Sequence, residues 1–281
     1  MTPPEILLDG LIFLEGPRWY DGKLWFSDMF AGQVRTVDLS GNTDVVAEVA
    51  ERPSGLGFLP DGRLLIVSMQ NGQLLRLDRT GLTTVADLSG LAVGSPNDMV
   101  VDTHGRAYIG HFGYNLFGGE EPRPASLLLV TPDGQVREVA DGLEFPNGTV
   151  ISPDGKTLIV AETFGRRLTA FSIAADGGLS ERRVFAQFDE ETPDGICLDA
   201  RGGVWVSSFE SGEFVRVEDG GTITDRIPVP GKRAVACALG GPQRQTLFLL
   251  TAETTLEDLA QGKSIGRVEA VRVDTPGAGL P

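Results

Sequence analysis

The chain is predicted to be all-β, a six-bladed β-propeller with four antiparallel strands per blade around a central channel that carries a metal site. Two observations predict the architecture. A phrase of one polar residue, a short apolar strand, a Gly-rich turn and a second apolar strand recurs six times. It starts at Glu15-Gly16, Ser54-Gly55, Asn97-Asp98, Asn147-Gly148, Asp194-Gly195 and, most degenerately, Arg233-Ala234. Its spacing of 39 to 50 residues is that of propeller blades. Glycine is also abundant, 37 of 281 residues, as many tight turns require.

The fourth repeat justifies the blade element by element. Residues 147–152 form a short apolar strand and Pro153-Asp154-Gly155 a hairpin turn. Residues 157–163 make a second strand, 167–173 alternate as a half-buried third, and 182–188 follow Asp176-Gly177-Gly178 as a fourth. The other repeats turn first at Asp21-Gly22, Asp61-Gly62, His104-Gly105, Gly202-Gly203 and Gly240-Gly241. Their outer strands read as 44–49, 83–88, 136–140 and 222–229. The sixth repeat lacks an outer strand. The N-terminal run Glu5-Ile6-Leu7-Leu8 is the spare strand that fills it and removes the open edge. No linker divides the chain, so residues 1–281 are expected to form one domain. Two insertions depart from the repeat, residues 113–124 and the polar stretch 254–264. Each follows a second strand, which places both above the face that carries the repeat starts.

The formal net charge is −15, which argues against nucleic acid or an anionic membrane as partner. No run of about 18 apolar residues appears. The N-terminus lacks the basic and apolar regions of a signal peptide, so a cytoplasmic protein is expected. A monomer or weak homodimer acting on a small molecule is expected. Cys197 and Cys237 fall at matching heights on adjacent inner strands and read as small core residues. Blade packing is expected to hold them too far apart for a disulfide.

Superposing the repeats brings Glu15, Asn97, Asn147 and Asp194 to one end of the channel. Asn, Asp and Ser are natural turn formers, so any one of these residues alone reads as a turn residue. Together, two carboxylates and two carboxamides on one axis would be costly without compensation. One divalent cation resolves this, and oxygen-only donors suit a hard ion, best Ca2+, with Zn2+, Mn2+ or Fe2+ as alternatives.

The residues also carry a family resemblance. Leu14-Glu-Gly-Pro-Arg-Trp19 with Leu24-Trp-Phe-Ser-Asp28, Pro96-Asn-Asp-Met-Val-Val-Asp102, the run from Phe145 to Gly155 and Thr192-Pro-Asp-Gly-Ile-Cys-Leu-Asp199 resemble the SMP-30/gluconolactonase/LRE-like family, regucalcin included. The resemblance covers essentially the whole chain. It implies a six-bladed propeller with one catalytic metal, Glu15, Asn97, Asn147 and Asp194 as its ligands, and hydrolysis of lactones or esters. It further implies Asp194 as general base or nucleophile. The chain departs from the sugar-lactonase pattern at Ser95, where such members often carry an arginine, and at His111, where they tend to be acidic. Loss of that hydroxyl-binding arginine makes a less polar lactone or an aryl ester a candidate.

Further substrate-binding candidates are Asp98, His111, Tyr114, Met69 and Glu162. Asp98 follows a ligand position and is either a support for it or a turn residue. A second ring, Asp28, Met69, His111, Glu162, Ser208 and Glu253, is expected at the ends of the second strands, pointing to the site. His111 reads as an acid–base group, a substrate partner or a structural histidine. Tyr114, Phe112, Phe117 and Met69 offer an apolar wall or ordinary packing. Competing functions are phosphotriester hydrolysis at the same site, a calcium- or ligand-binding propeller without catalysis, and a protein-interaction propeller.

Overall fold

The computed structural model describes residues 3–279 as six four-stranded antiparallel sheets plus one short helix. The first two residues, part of the stretch read for a targeting signal, lie outside the described residues. The inner strands of successive blades are Leu14–Tyr20, Pro53–Phe58, Pro96–Val101, Pro146–Ile151, Pro193–Leu198 and Arg233–Gly240. Each touches the next, and the last touches the first, which closes a six-bladed propeller. The closure is the expected one. Glu5–Leu11 pairs antiparallel with Ile265–Arg272 and becomes the outer strand of the sixth blade.

Burial follows the sequence pattern. Second strands such as Leu64–Ser68 and Ala107–His111 are buried throughout, between neighbouring blades. Outer strands such as Thr43–Glu48 are half exposed and more polar. At the first hairpin, Asp21 and Gly22 both have positive φ, 48° and 76°, which a two-residue turn of the hairpin-favouring type requires.

The recurring polar–glycine pair has a packing cause. A Cβ on Gly148 would lie 2.5 Å from Ile196 N and 2.6 Å from Asp194 O of the next blade. One on Gly55 would meet Met99 N at 2.6 Å. Inner strands therefore approach backbone to backbone just after the polar residue, and only a missing side chain permits it. A bulge falls at the same place. Pro146 and Thr149 oppose Glu162 and Val160, three steps against two, and the other inner hairpins shift register likewise. Such bulges re-aim side chains.

These contacts correct the sixth repeat. Gly195 abuts Val235 O and Ala236, as Gly148 abuts Asp194 O and Gly195. The residue equivalent to Asp194 in blade six is thus Val235, not Arg233 or Ala234. The cysteine expectation is corrected as well. The Sγ atoms of Cys197 and Cys237 are 3.6 Å apart and unbonded. The close Gly195–Ala236 approach draws their strands together instead of holding them apart.

The insertion 254–264 contains a helix, Leu256–Ala260, which was not expected from the sequence. Thr255 starts it, its hydroxyl accepting the Asp258 N–H at 3.1 Å. No described helix is long and apolar enough to cross a membrane.

Candidate active site

Glu15, Asn97, Asn147 and Asp194 come from the starts of four inner strands and are all buried. They share one pocket of about 150 Å³ at the end of the channel. Ser54, from the second blade, does not line it but donates to Asn97 Oδ1 at 3.1 Å. Asn147 Nδ2 donates to Thr163 Oγ1 at 3.3 Å, and that hydroxyl donates onward to Pro193 O at 2.7 Å. The chain of bonds fixes which end of the amide is free. Asn147 Oδ1 and Asp194 Oδ1 are buried without a hydrogen-bond partner.

Electrostatics sharpen this. Burial, then the charges of Asp194 and Asp98, push the Glu15 carboxyl well above the usual carboxylate range. Burial, then Asp98, does the same to Asp194, offset in part by the Asn147 amide. Asp98 is raised by burial against the opposing pull of Arg18. Buried oxygens without donors beside carboxylates that resist ionising are what a hard cation satisfies, and the oxygen-only donor set fits one. No group of three or more His, Cys, Asp and Glu is placed for a metal among the described residues, and the quartet holds only two residues of those types.

The pocket wall is carbon-rich. Phe13 and Met29 come from blade one and Met69 from blade two. Phe112 and Phe145 stack at 4.6 Å with an interplanar angle of 15°, and Phe164 meets Phe145 edge-on at 4.8 Å. Phe209 comes from blade five, and the two insertions overhang the mouth with Leu116, Phe117, Leu256 and Leu259. Phe145 holds its ring there at a φ of +63°, a strained value for a bulky residue.

The other sequence candidates separate. Met69 lines the pocket, as do Phe112 and Phe117. Tyr114 is buried behind the wall, its ring 6.2 Å from Phe145. Asp98 lies beneath the quartet, paired to Arg18 at 3.1 Å. His111 does not line the pocket. Its Nδ1 lies 3.0 Å from Val93 O and its Nε2 2.9 Å from Ser126 Oγ, and burial lowers its pKa. Glu162 is fully buried and accepts from Arg167 Nε at 2.8 Å and from the Glu144 N–H at 2.7 Å. Burial alone would raise its pKa, but Arg167 and Thr169 bring it below the ordinary value.

The second ring, Met69 apart, is therefore corrected: its side chains do not line the pocket, and Glu253 pairs with Arg267 instead. Asp28 accepts the N–H groups of Ile12 and Phe13 at 3.2 and 3.1 Å, and Ser208 accepts that of Thr192 at 3.0 Å. With Glu162 on Glu144 and His111 on Val93, these side chains fasten the segment entering their own blade. Strand side chains alternate, so the next residue along faces the pocket. Met29, Phe112, Thr163 and Phe209 are those residues; Phe112 was already a candidate for the apolar wall, and the other three were missed from the sequence by one position. Met69 belongs with them, because Ser68, not Met69, pairs with Pro53 as Asp28 pairs with Leu14.

The SMP-30/gluconolactonase/LRE-like family model matches residues 13–253. The chain belongs to this family. Among similar proteins, pentonolactonase XacC of Haloferax volcanii is 28% identical over 255 residues, 85% of this chain and 81% of that protein. A 6-deoxy-6-sulfogluconolactonase of Pseudomonas putida is 26% identical over 277 residues, 95% of this chain and 93% of that one. Among solved structures, the calcium-binding protein regucalcin of Agrobacterium tumefaciens superposes with a TM-score of 0.79 at 25% identity, covering 99% of this chain and 97% of that one.

Proposed function

We propose that this member of the SMP-30/gluconolactonase/LRE-like family hydrolyses small-molecule lactones or related esters, with one divalent cation held by Glu15, Asn97, Asn147 and Asp194. Relatives named as lactonases support a lactonase-type function with a lactone as substrate. The observation that carries the site is the pair of buried, unpartnered oxygens, Asn147 Oδ1 and Asp194 Oδ1. Calcium suits the donors best, with Zn2+, Mn2+ and Fe2+ as alternatives. When bound, the cation supplies Lewis-acid polarisation of the lactone carbonyl.

The chain's own residues do the rest. Glu15 and Asp194 supply two negative charges, and Asn97 and Asn147 supply neutral amide oxygens. Ser54 and Thr163 hold those amides in one orientation. An oxygen of Asp194 takes the proton of the attacking water as the C–O bond forms. The proton then passes to the ring oxygen as its bond to the acyl carbon breaks, giving a hydroxy acid. The carbon-rich wall excludes other water.

Acid release tests this over sugar lactones, aliphatic lactones, aryl esters and a phosphotriester, with EDTA and then with each ion restored. EDTA-sensitive lactone turnover rescued by one ion is expected, with Asp194→Asn lowering kcat by roughly 10²–10⁴-fold on an intact fold. Near-normal turnover in Asp194→Asn would remove it from the base role. Cation content unchanged by Glu15→Gln after dialysis would remove Glu15 as a ligand. Turnover of the phosphotriester alone, or of nothing with any ion, would overturn the lactonase reading.

A further inference from the structure

We infer that the substrate carries an apolar chain or ring beside its lactone or ester group and is not a polyhydroxylated sugar lactone. The inference rests on the lactonase reading for the reaction, but its evidence is the wall, not the quartet. Outside the quartet, the pocket's polar side chains are Thr163, Thr192 and Glu210. All three are engaged. Thr163 is held between Asn147 and Pro193 O. The Thr192 hydroxyl accepts the Glu210 N–H at 2.9 Å. The Glu210 carboxylate takes Arg233 Nη1 at 2.8 Å.

A polyol would therefore press several hydroxyls against aromatic carbon with few partners left to bond them, an arrangement that weakens binding at every hydroxyl. The wall offers the opposite. The Phe112–Phe145 stack, with Phe164 set edge-on, makes an aromatic slab next to the quartet. At the mouth Phe117, Phe164 and Leu256 are 40%, 51% and 60% exposed, apolar area that a bound chain would cover. A cavity of about 150 Å³ has room for one ring or a short chain. The floor binds the reacting carbonyl, and the slab and mouth select what is attached to it.

The experiment compares kcat/KM for γ-butyrolactone, γ-propyl-butyrolactone and an aldonolactone. Alongside, calorimetry compares binding of the matching unhydrolysed γ-lactams. The alkyl chain is expected to raise kcat/KM and lactam affinity at least tenfold, since each buried methylene contributes about fourfold, or ~0.8 kcal/mol. The aldonolactone is expected to be the poorest of the three. In Phe164→Ser with Leu256→Ser, both exposed positions, the alkyl preference should fall at least fivefold at unchanged melting temperature. Phe117→Ser gives a third exposed site if that pair perturbs the fold. An aldonolactone preferred over the alkyl lactone, or an alkyl preference untouched by the mouth variants, would overturn the inference. Alkyl-dependent lactam binding without turnover of any lactone would uphold it while the lactonase reading fails.

Discussion

Arg18 Nη2 lies 3.1 Å from Asp98 Oδ1, an ion pair between residues 80 apart in the chain with both side chains buried. Arg18 also donates to the carbonyls of Pro17 and Met99. Asp98 takes the Met99 N–H at 2.8 Å. The pair sits under the quartet, where Asp98 adds its charge to those of Glu15 and Asp194. In the neighbouring blades Gly55 and Gly148 occupy the position of Asp98. Blade three has thus exchanged an empty position for a carboxylate, and Arg18 is the cation that makes it tolerable.

Removing that cation should be severe. Arg18→Met leaves Asp98 buried and unpaired beside two more carboxylates, and is expected to lower stability by about 3–5 kcal/mol. Arg18→Met with Asp98→Asn should recover a large part of the loss, since neither charge then remains. The urea midpoint, at unchanged m-value, reads both variants. A loss below ~1 kcal/mol in the single variant would mean that the carboxylate reaches water or a proton, against its burial.

His111 predicts a pH dependence of stability away from the quartet. Burial depresses its folded-state pKa below the ordinary 6.5, offset in part by Val93 O and by Glu138. The groups against its ring are Val93 O, the Ser126 hydroxyl and N–H and the Gly113 N–H, none of them charged. The unfolded chain therefore takes up a proton at a pH where the folded one does not. The resulting stability is complete above about pH 6.5 and is lost as pH falls from there through the folded pKa. Melting temperature measured from pH 8 to 5 should decline more steeply in the native protein than in His111→Gln. Parallel curves would show that the imidazole is protonated in place.

Much of this was legible because the fold repeats. Six strand–turn–strand phrases predicted the blades, the N-terminal strand of the last one and the four polar residues of the pocket floor. Side-chain direction at the strand ends was less legible. A bulge in every inner hairpin changes the count by one, so an alignment of strand ends confuses Asp28 with Met29 and Ser68 with Met69. Side chains alternate across a strand, so that single step exchanges a blade-fastening residue for a pocket-lining one. The helix Leu256–Ala260 was hidden for another reason. At five residues it is too short to show a helical period, and its start depends on one cap at Thr255. The sixth repeat could be placed only through contacts, since Val235 has no polar group to mark it.

Thr163 is where the corrected strand register meets the proposed chemistry. It accepts from Asn147 Nδ2 and donates its own O–H to Pro193 O, tying the blade-four ligand to the start of the blade-five strand that carries Asp194. Thr163→Val keeps the shape but frees the amide to rotate. Either amide end can then face the channel, and the nitrogen end cannot serve a cation. Groups that orient a ligand in this way typically change metal affinity by about 10–100-fold. Calcium titrated calorimetrically into chelator-stripped protein should bind more weakly by that factor in Thr163→Val and nearly normally in Thr163→Ser, which keeps the hydroxyl. The valine variant should also lose about 1–3 kcal/mol of stability, because the buried Pro193 carbonyl is left without a donor. Equal calcium affinity in all three proteins, with that stability loss present, would show that Thr163 supports only the strand and that Asn147 needs no help to present its oxygen.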